Sequence, residues 1–253
     1  MLRLLLLTSL FSFTAVAGDP IVVNSGNNQT AVVELYTSEG CSSCPSADHW
    51  LSRLIEVPKD ELNVLALAFH VDYWDYLGWK DRFSSAVNTS RQRQLGANNQ
   101  QDTIYTPEFF VNGMETRGTN NILQKIQQAN LQSSPLDLKL TVSRDNNNLV
   151  IELQSPDHRD ISDQIHHRYL IYENNLSTDV QRGENSGAIL KHEQVVRYMS
   201  KAQNLRPQNQ YRIALDPDWK PENIGVAVLV TLPGDKHYLQ ALHTPVASLL
   251  SGP

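Results

Sequence analysis

Val33-Glu34-Leu35-Tyr36-Thr37-Ser38-Glu39-Gly40-Cys41-Ser42-Ser43-Cys44-Pro45 is the stretch whose reading decides the fold. Its first half, residues 31–36, is β-branched and aromatic, as a short strand should be. Residues 37–40 then turn, and the C-x-x-C follows at once. Beyond Pro45, the apolar residues Ala47, Trp50, Leu51, Leu54 and Ile55 recur at helical spacing. Residues 63–69 (Asn-Val-Leu-Ala-Leu-Ala-Phe) are a nearly continuous apolar run, the pattern of a strand buried on both faces. The spacing therefore predicts a strand–helix–strand unit with two cysteines opening the helix.

Upstream, residues 18–29 read as a polar leader. Downstream, Asp72-Tyr73-Trp74-Asp75-Tyr76-Leu77-Gly78-Trp79 is a dense aromatic loop, and residues 83–95 carry a helical pattern. Residues 108–111 and 114–117 flank Asn112-Gly113, the strongest short hairpin signal. Residues 119–130 follow as a helix with Ile122, Leu123 and Ile126 on one face. The texture changes near Ser133-Ser134-Pro135. Residues 136–142 and 149–153 alternate around Asp145-Asn146-Asn147-Asn148, and further strands are expected at 167–172, 211–215, 225–232 and 238–243. Several short strands at this spacing predict a β-rich, sandwich-like second domain. The expected division is a signal peptide over 1–17, an α/β domain over 18–132, and a β-rich domain over 133–253.

The 253 residues carry 21 Lys+Arg against 27 Asp+Glu, a formal charge of −6 that gives no general reason to bind nucleic acid. A hydrophobic fraction of 40% with 19% charged residues is globular, and two cysteines can build neither a disulfide scaffold nor a four-cysteine zinc site. Met1-Leu2-Arg3, the apolar run 4–16 and Ala15-Val16-Ala17 form the pattern of a cleaved signal peptide. That run is short of the roughly 20 residues a spanning helix needs, so no membrane span is expected in the mature chain. Export to the periplasm or beyond would place Cys41 and Cys44 in an oxidising compartment.

Strand, C-x-x-C, helix, strand, insertion, Thr-Pro, hairpin and helix is the order of elements in the thioredoxin fold. That resemblance implies an α/β thioredoxin-like domain, a mixed sheet with flanking helices, in which Pro107 stands where relatives place a cis-proline beside the cysteines; the sequence gives its position, not its isomer. Parallel strands end on one edge, so Cys41, Cys44, His70, Asp72, Tyr73, Trp74, Thr106 and Pro107 should gather there. A Cys41 thiolate is favoured by the start of the helix and would attack a substrate disulfide, with Cys44 resolving the mixed disulfide. Glu34 reads either as a proton acceptor beneath the cysteines or as the partner of an internal Arg or Lys. His70 could tune the thiolate, join both sulfurs as a soft-metal ligand, or be a hydrogen-bonded strand end. Tyr73, Trp74, Trp79 and Tyr105 are the candidate substrate-binding residues; Trp74, Tyr76 and Trp79 read either as an apolar rim for polypeptide or as cover for the core. His166, His167, Glu184 and His192 have no metal-ligand spacing and read as solvated loop positions.

With Phe69-His70-Val71-Asp72-Tyr73-Trp74-Asp75-Tyr76-Leu77-Gly78-Trp79 and Tyr105-Thr106-Pro107, the opening stretch resembles a secreted, thioredoxin-like "domain of unknown function" family of bacterial envelopes. More distantly, the first half is similar to glutaredoxins and periplasmic disulfide oxidoreductases. That family has no settled activity; the C-x-x-C at the start of a helix predicts a thiol-disulfide oxidoreductase whose redox group is the Cys41–Cys44 disulfide, its redox direction left open. Its partners would be protein thiols and disulfides together with a redox partner. Two alternatives stand beside it: a Cu(I) or Zn carrier using Cys41, Cys44 and His70, and a binding module with a structural disulfide.

Overall fold

The computed structural model describes residues 18–155 and 164–250, so the expected signal peptide over 1–17 lies outside the described residues. The elements run β1 (Ile21–Asn24), β2 (Ala31–Thr37), α1 (Cys44–Leu54), β3 (Val64–His70), α2 (Ala86–Asn98), β4 (Glu108–Val111), β5 (Met114–Glu115) and α3 (Thr119–Asn130). They continue with β6 (Lys139–Asp145), β7 (Asn148–Gln154), β8 (His166–Glu173), β9 (Leu176–Asp179), β10 (Ile189–His192) and β11 (Val195–Met199). Last come β12 (Gln203–Asn204), β13 (Gln208–Ala214), β14 (Ile224–Thr231), β15 (Tyr238–Pro245) and α4 (Ala247–Leu250).

β2 and β3 pair in parallel through α1, and β4 lies antiparallel on the other side of β2. Strand parity sorts their side chains: Ala31, Val33 and Leu35 meet α1 and α3, whereas Val32 and Tyr36 face the opposite core. β3 is apolar throughout because both its faces are covered, Leu65, Leu67 and Phe69 on one and Ala66 on the other. The β4–β5 turn has Asn112 and Gly113 at φ 48° and 79°, the left-handed pair a two-residue hairpin requires.

Residues on both sides of position 133 share one nine-stranded sheet, ordered β15-β14-β8-β11-β3-β2-β4-β5 with β12 beside β8. The junction is the parallel pairing of β11 with β3. The sheet curls until β15 returns to β2, where Thr30 N donates to Gln240 Oε1 at 2.8 Å. Its other face, from β8, β14 and β15, packs on a four-stranded sheet, β1-β6-β7-β13. β1 falls where a polar leader was expected. Its alternate residues Ile21 and Val23 pack on that core, and the strand pairs with β6. β9 and β10 form a separate two-stranded ribbon that belongs to neither sheet.

Candidate functional site

The buried face of α1 is Cys44, Ala47, Asp48, Leu51 and Leu54, one helical stripe with an acid inside it. Cys44 is the first helical residue and Pro45 the second, where a missing N–H costs no intrahelical bond. Cys41 and Cys44 are joined as a disulfide with Cα atoms 5.4 Å apart. Ser43, which precedes the helix without capping it, places Oγ 3.4 Å from Cys41 Sγ. The Thr106–Pro107 bond is cis. Trp74 ties that loop to the cysteine loop: its Nε1 donates to Thr106 Oγ1 at 2.7 Å, while its Cβ sits so close to Gly40 that a Cβ there would be 3.3 Å away.

Both sulfur-bearing residues are covered, Cys41 at 1% exposure and Cys44 at 0%. Part of the cover comes from the tip of the β9–β10 ribbon, residues 180–188. Ser42 N donates to Glu184 Oε2 at 2.9 Å, and Asn185 Nδ2 donates to the carbonyls of Glu39 and Cys41 at 2.9 and 3.0 Å. Trp79 lies beneath the same tip, with its Cβ 3.1 Å from where a Cβ on Gly183 would stand. Its Nε1 donates to Glu39 Oε2 at 2.8 Å.

Behind this loop lies a buried cluster of three carboxylates and two imidazoles. Asp81 Oδ2 meets His70 Nδ1 at 2.6 Å and accepts from Glu39 N at 2.9 Å, while Asp81 Oδ1 accepts from Phe83 N at 2.8 Å. His192, 2% exposed, stands edge-on to His70 with ring centres 4.8 Å apart. Its Nε2 is 3.4 Å from Glu39 Oε1 and its Nδ1 is 4.0 Å from Asp48 Oδ2. Asp48 Oδ2 accepts from Thr37 Oγ1 at 3.2 Å. Glu39 Oε1, Asp48 Oδ1, His70 Nε2 and both His192 nitrogens make no hydrogen bond. Burial pushes the Asp48 carboxyl above its usual range, against the pull of His192, His70 and Thr37. Burial also opposes a His70 cation, but the charge and hydrogen bond of Asp81 outweigh it and raise the imidazole's pKa. Asp81 is lowered in turn, the His70 charge overcoming desolvation.

The expected site residues divide. Cys41, Cys44, Trp74, Thr106 and Pro107 gather on one edge, with Trp79 and His70 joining them through Glu39 and Asp81. Glu34 does not. Its parity with Val32 and Tyr36 points it away from α1, and Arg91 on α2 grips it by two bonds of 2.7 and 2.8 Å. The reading that paired it with an internal Arg is the one the contacts match. Tyr73 is turned inward against the core, and Asp72 Oδ1 accepts from Thr89 Oγ1 of α2 at 2.6 Å. Tyr105 donates to Glu115 Oε1 at 2.5 Å and, with Pro107 and Phe109, lines an open groove of about 430 Å³. For the metal alternative, His70 Nδ1 is already engaged by Asp81. Among the described residues no group of three or more His, Cys, Asp or Glu side chains could hold a metal ion.

Two histidines read as solvated loop positions are not. His192 ends β10 inside the acidic cluster, and His167, at 1% exposure, lies within β8, where burial pulls its pKa down to about 4. Glu184 does lie in an exposed loop, yet it holds Ser42. Asp48, Ser43 and Asn185 were not singled out. Asp48 had a signal, since it sits inside the apolar arc of α1 at four residues from Cys44.

A profile described as a protein of unknown function, DUF1223, matches residues 32–231. The chain belongs to the DUF1223 family. The DUF1223 match runs from β2 to the end of β14, so it takes in the cysteines, the ribbon and His192. A crystallised protein of Agrobacterium tumefaciens is similar over 87% of this chain and 95% of its own length, with 22% identity and a TM-score of 0.65. HBP35 of Porphyromonas gingivalis is similar over 87% of this chain and 76% of its own, at 16% identity and a TM-score of 0.64. At these identities the likeness is one of fold. No curated protein matches the chain.

Proposed function

We propose that this DUF1223 chain is an exported thioredoxin-like protein that exchanges disulfides with protein thiols through Cys41 and Cys44. The observation that carries the reading is the position of the pair: a disulfide at the first turn of an eleven-residue helix. There the unpaired N–H groups and the helix dipole favour a thiolate. In the reduced state the Ser43 hydroxyl, already against Cys41 Sγ, would donate to that thiolate. The Cys41 thiolate attacks one sulfur of a substrate disulfide and the other substrate sulfur leaves as thiolate. Cys44 thiolate then attacks Cys41 Sγ, the internal disulfide forms, and the second substrate thiolate departs. The apolar run 4–16 supports export, and no described helix is long and apolar enough to cross a membrane.

The reduction potential of the pair in glutathione buffers tests this. A value between about −120 and −270 mV supports exchange, with Cys41→Ser abolishing turnover and Cys44→Ser trapping mixed disulfides. One observation favours a second reading, a binding module with a structural disulfide: neither cysteine is exposed. That reading requires a potential below about −300 mV.

A further inference from the structure

The tip of the β9–β10 ribbon does more than shield sulfur; it satisfies the main chain beside it. Ser42 N–H, Cys41 C=O and Glu39 C=O are hydrogen-bonding groups on the rim of the disulfide. The partners they take from the tip are two side chains, the Glu184 carboxylate and the Asn185 carboxamide. One acceptor and one amide donor are what an extended peptide backbone offers. The rim around them is aromatic and apolar: Trp79 under Gly183, Trp74 against Gly40, and the exposed Tyr76 and Leu77 on the same loop.

We propose that the surface beneath the ribbon tip is the docking site for an extended segment of a substrate protein. In this structure residues 183–187 occupy it in cis. The inference rests on the exchange function proposed above and names where its protein substrate binds. Displacing the tip uncovers Cys41 and frees one donor and two acceptors for the incoming backbone.

The ribbon is built to leave. It belongs to neither large sheet, and its tip is flanked by Gly183 and Gly187 at φ 79° and 83°. Arg82, which donates to Thr178 Oγ1 and to the Ser177 carbonyl, holds β9 rather than the tip. β10 is seated by His192, whose ring nitrogens reach Glu39 Oε1 and Asp48 Oδ2 only at 3.4 and 4.0 Å, longer than hydrogen bonds. An element outside both sheets, tied at its tip by three hydrogen bonds to the cysteine loop, opens at a smaller expense of free energy than a strand within a sheet.

Glu184→Ala/Asn185→Ala in the full chain removes both tip contacts and leaves the cysteines untouched. Two rates are read by stopped flow, reduction of the disulfide by dithiothreitol and its reaction with a ten-residue peptide carrying two thiols. The proposal expects both to rise at least tenfold, with the wild-type peptide reaction slower than its dithiothreitol reaction. Asn185→Asp, which keeps shape but removes the donor, should reproduce part of the gain. Rates within twofold of wild type in both variants, with unfolding unchanged, overturn it; so does faster dithiothreitol reduction with no gain for the peptide. The potential of the pair is measured alongside. A structural potential below about −300 mV with both rates accelerated sinks the exchange function while retaining the docking surface. A working potential with unchanged rates does the reverse.

Discussion

Two buried charge clusters, on opposite faces of β2, differ in one respect. The first joins Glu34, Arg91, Asp235 and Arg168 with the hydroxyls of Tyr36 and Tyr238. Two bonds tie Arg91 to Glu34, a third at 2.7 Å takes it to Tyr238, and a fourth at 3.2 Å to Asp235. Arg168 closes on the same Asp235 oxygen at 3.0 Å, and Tyr36 donates to Glu34 at 2.9 Å. Two cations balance two anions. The second cluster, behind the disulfide, sets Glu39, Asp48 and Asp81 against two histidines and leaves five polar atoms unbonded. A saturated network pins the curled sheet where β15 meets β2 and α2. The other gathers titratable groups whose pKa values are shifted, on the loop and helix that carry the cysteines, and such groups cluster where proteins do chemistry.

The largest expected effect breaks the saturated network. Glu34→Gln leaves Arg91 buried with half its partner and should cost about 3–5 kcal/mol in chemical denaturation. Glu34→Leu with Arg91→Met removes both ends, and the double variant should recover much of that loss, a coupling read from the double-mutant cycle. A loss equal to the sum of the singles would mean the two residues act apart.

Acid titration sharpens the contrast, because Asp235 of the first cluster and Asp48 of the second shift in opposite directions. Burial works against the Asp235 carboxylate, but Arg91 and Arg168 hold its pKa below 3.8. Its stabilisation is therefore present above that value and lost as pH falls through the lowered folded pKa. Asp48 is raised above 3.8, so its contribution is complete below that value and lost as pH rises through the folded pKa. Unfolding midpoints of Asp48→Asn across this range should lose that fall with rising pH, while Asp235→Asn should lose the acid-side decline.

Smallest is the neutral-pH effect of Asp48→Asn. Thr37 keeps an acceptor and a neutral amide of the same shape replaces the buried carboxyl, so stability should stay within about 1 kcal/mol of wild type. A loss of several kcal/mol would place Asp48 among the structural pairs.

What was legible in the chain was local. The period of Ala47, Leu51 and Leu54, the Asn112-Gly113 turn and the apolar run of β3 each encode structure within a few residues, and α3 runs over Thr119–Asn130 as its pattern predicts. β11 was invisible because its meaning lies in pairing with β3, more than a hundred residues away. His192 hid for the same reason: among Lys191, Glu193 and Gln194 nothing marks it as buried. Glu34 shows the limit of spacing arguments. Seven residues before Cys41, it is near in sequence, yet the two-residue period of a strand sends it to the far face.

Asn185 lies 144 residues downstream of Cys41. A chain made from its N-terminus therefore displays both thiols, unroofed, long before the ribbon that hides them exists. Before residue 185 is made, reaching the pair needs no movement of the ribbon; in the finished molecule it does. The cover is thus the later of the two parts to be made, and whatever guards the pair before then is not this ribbon.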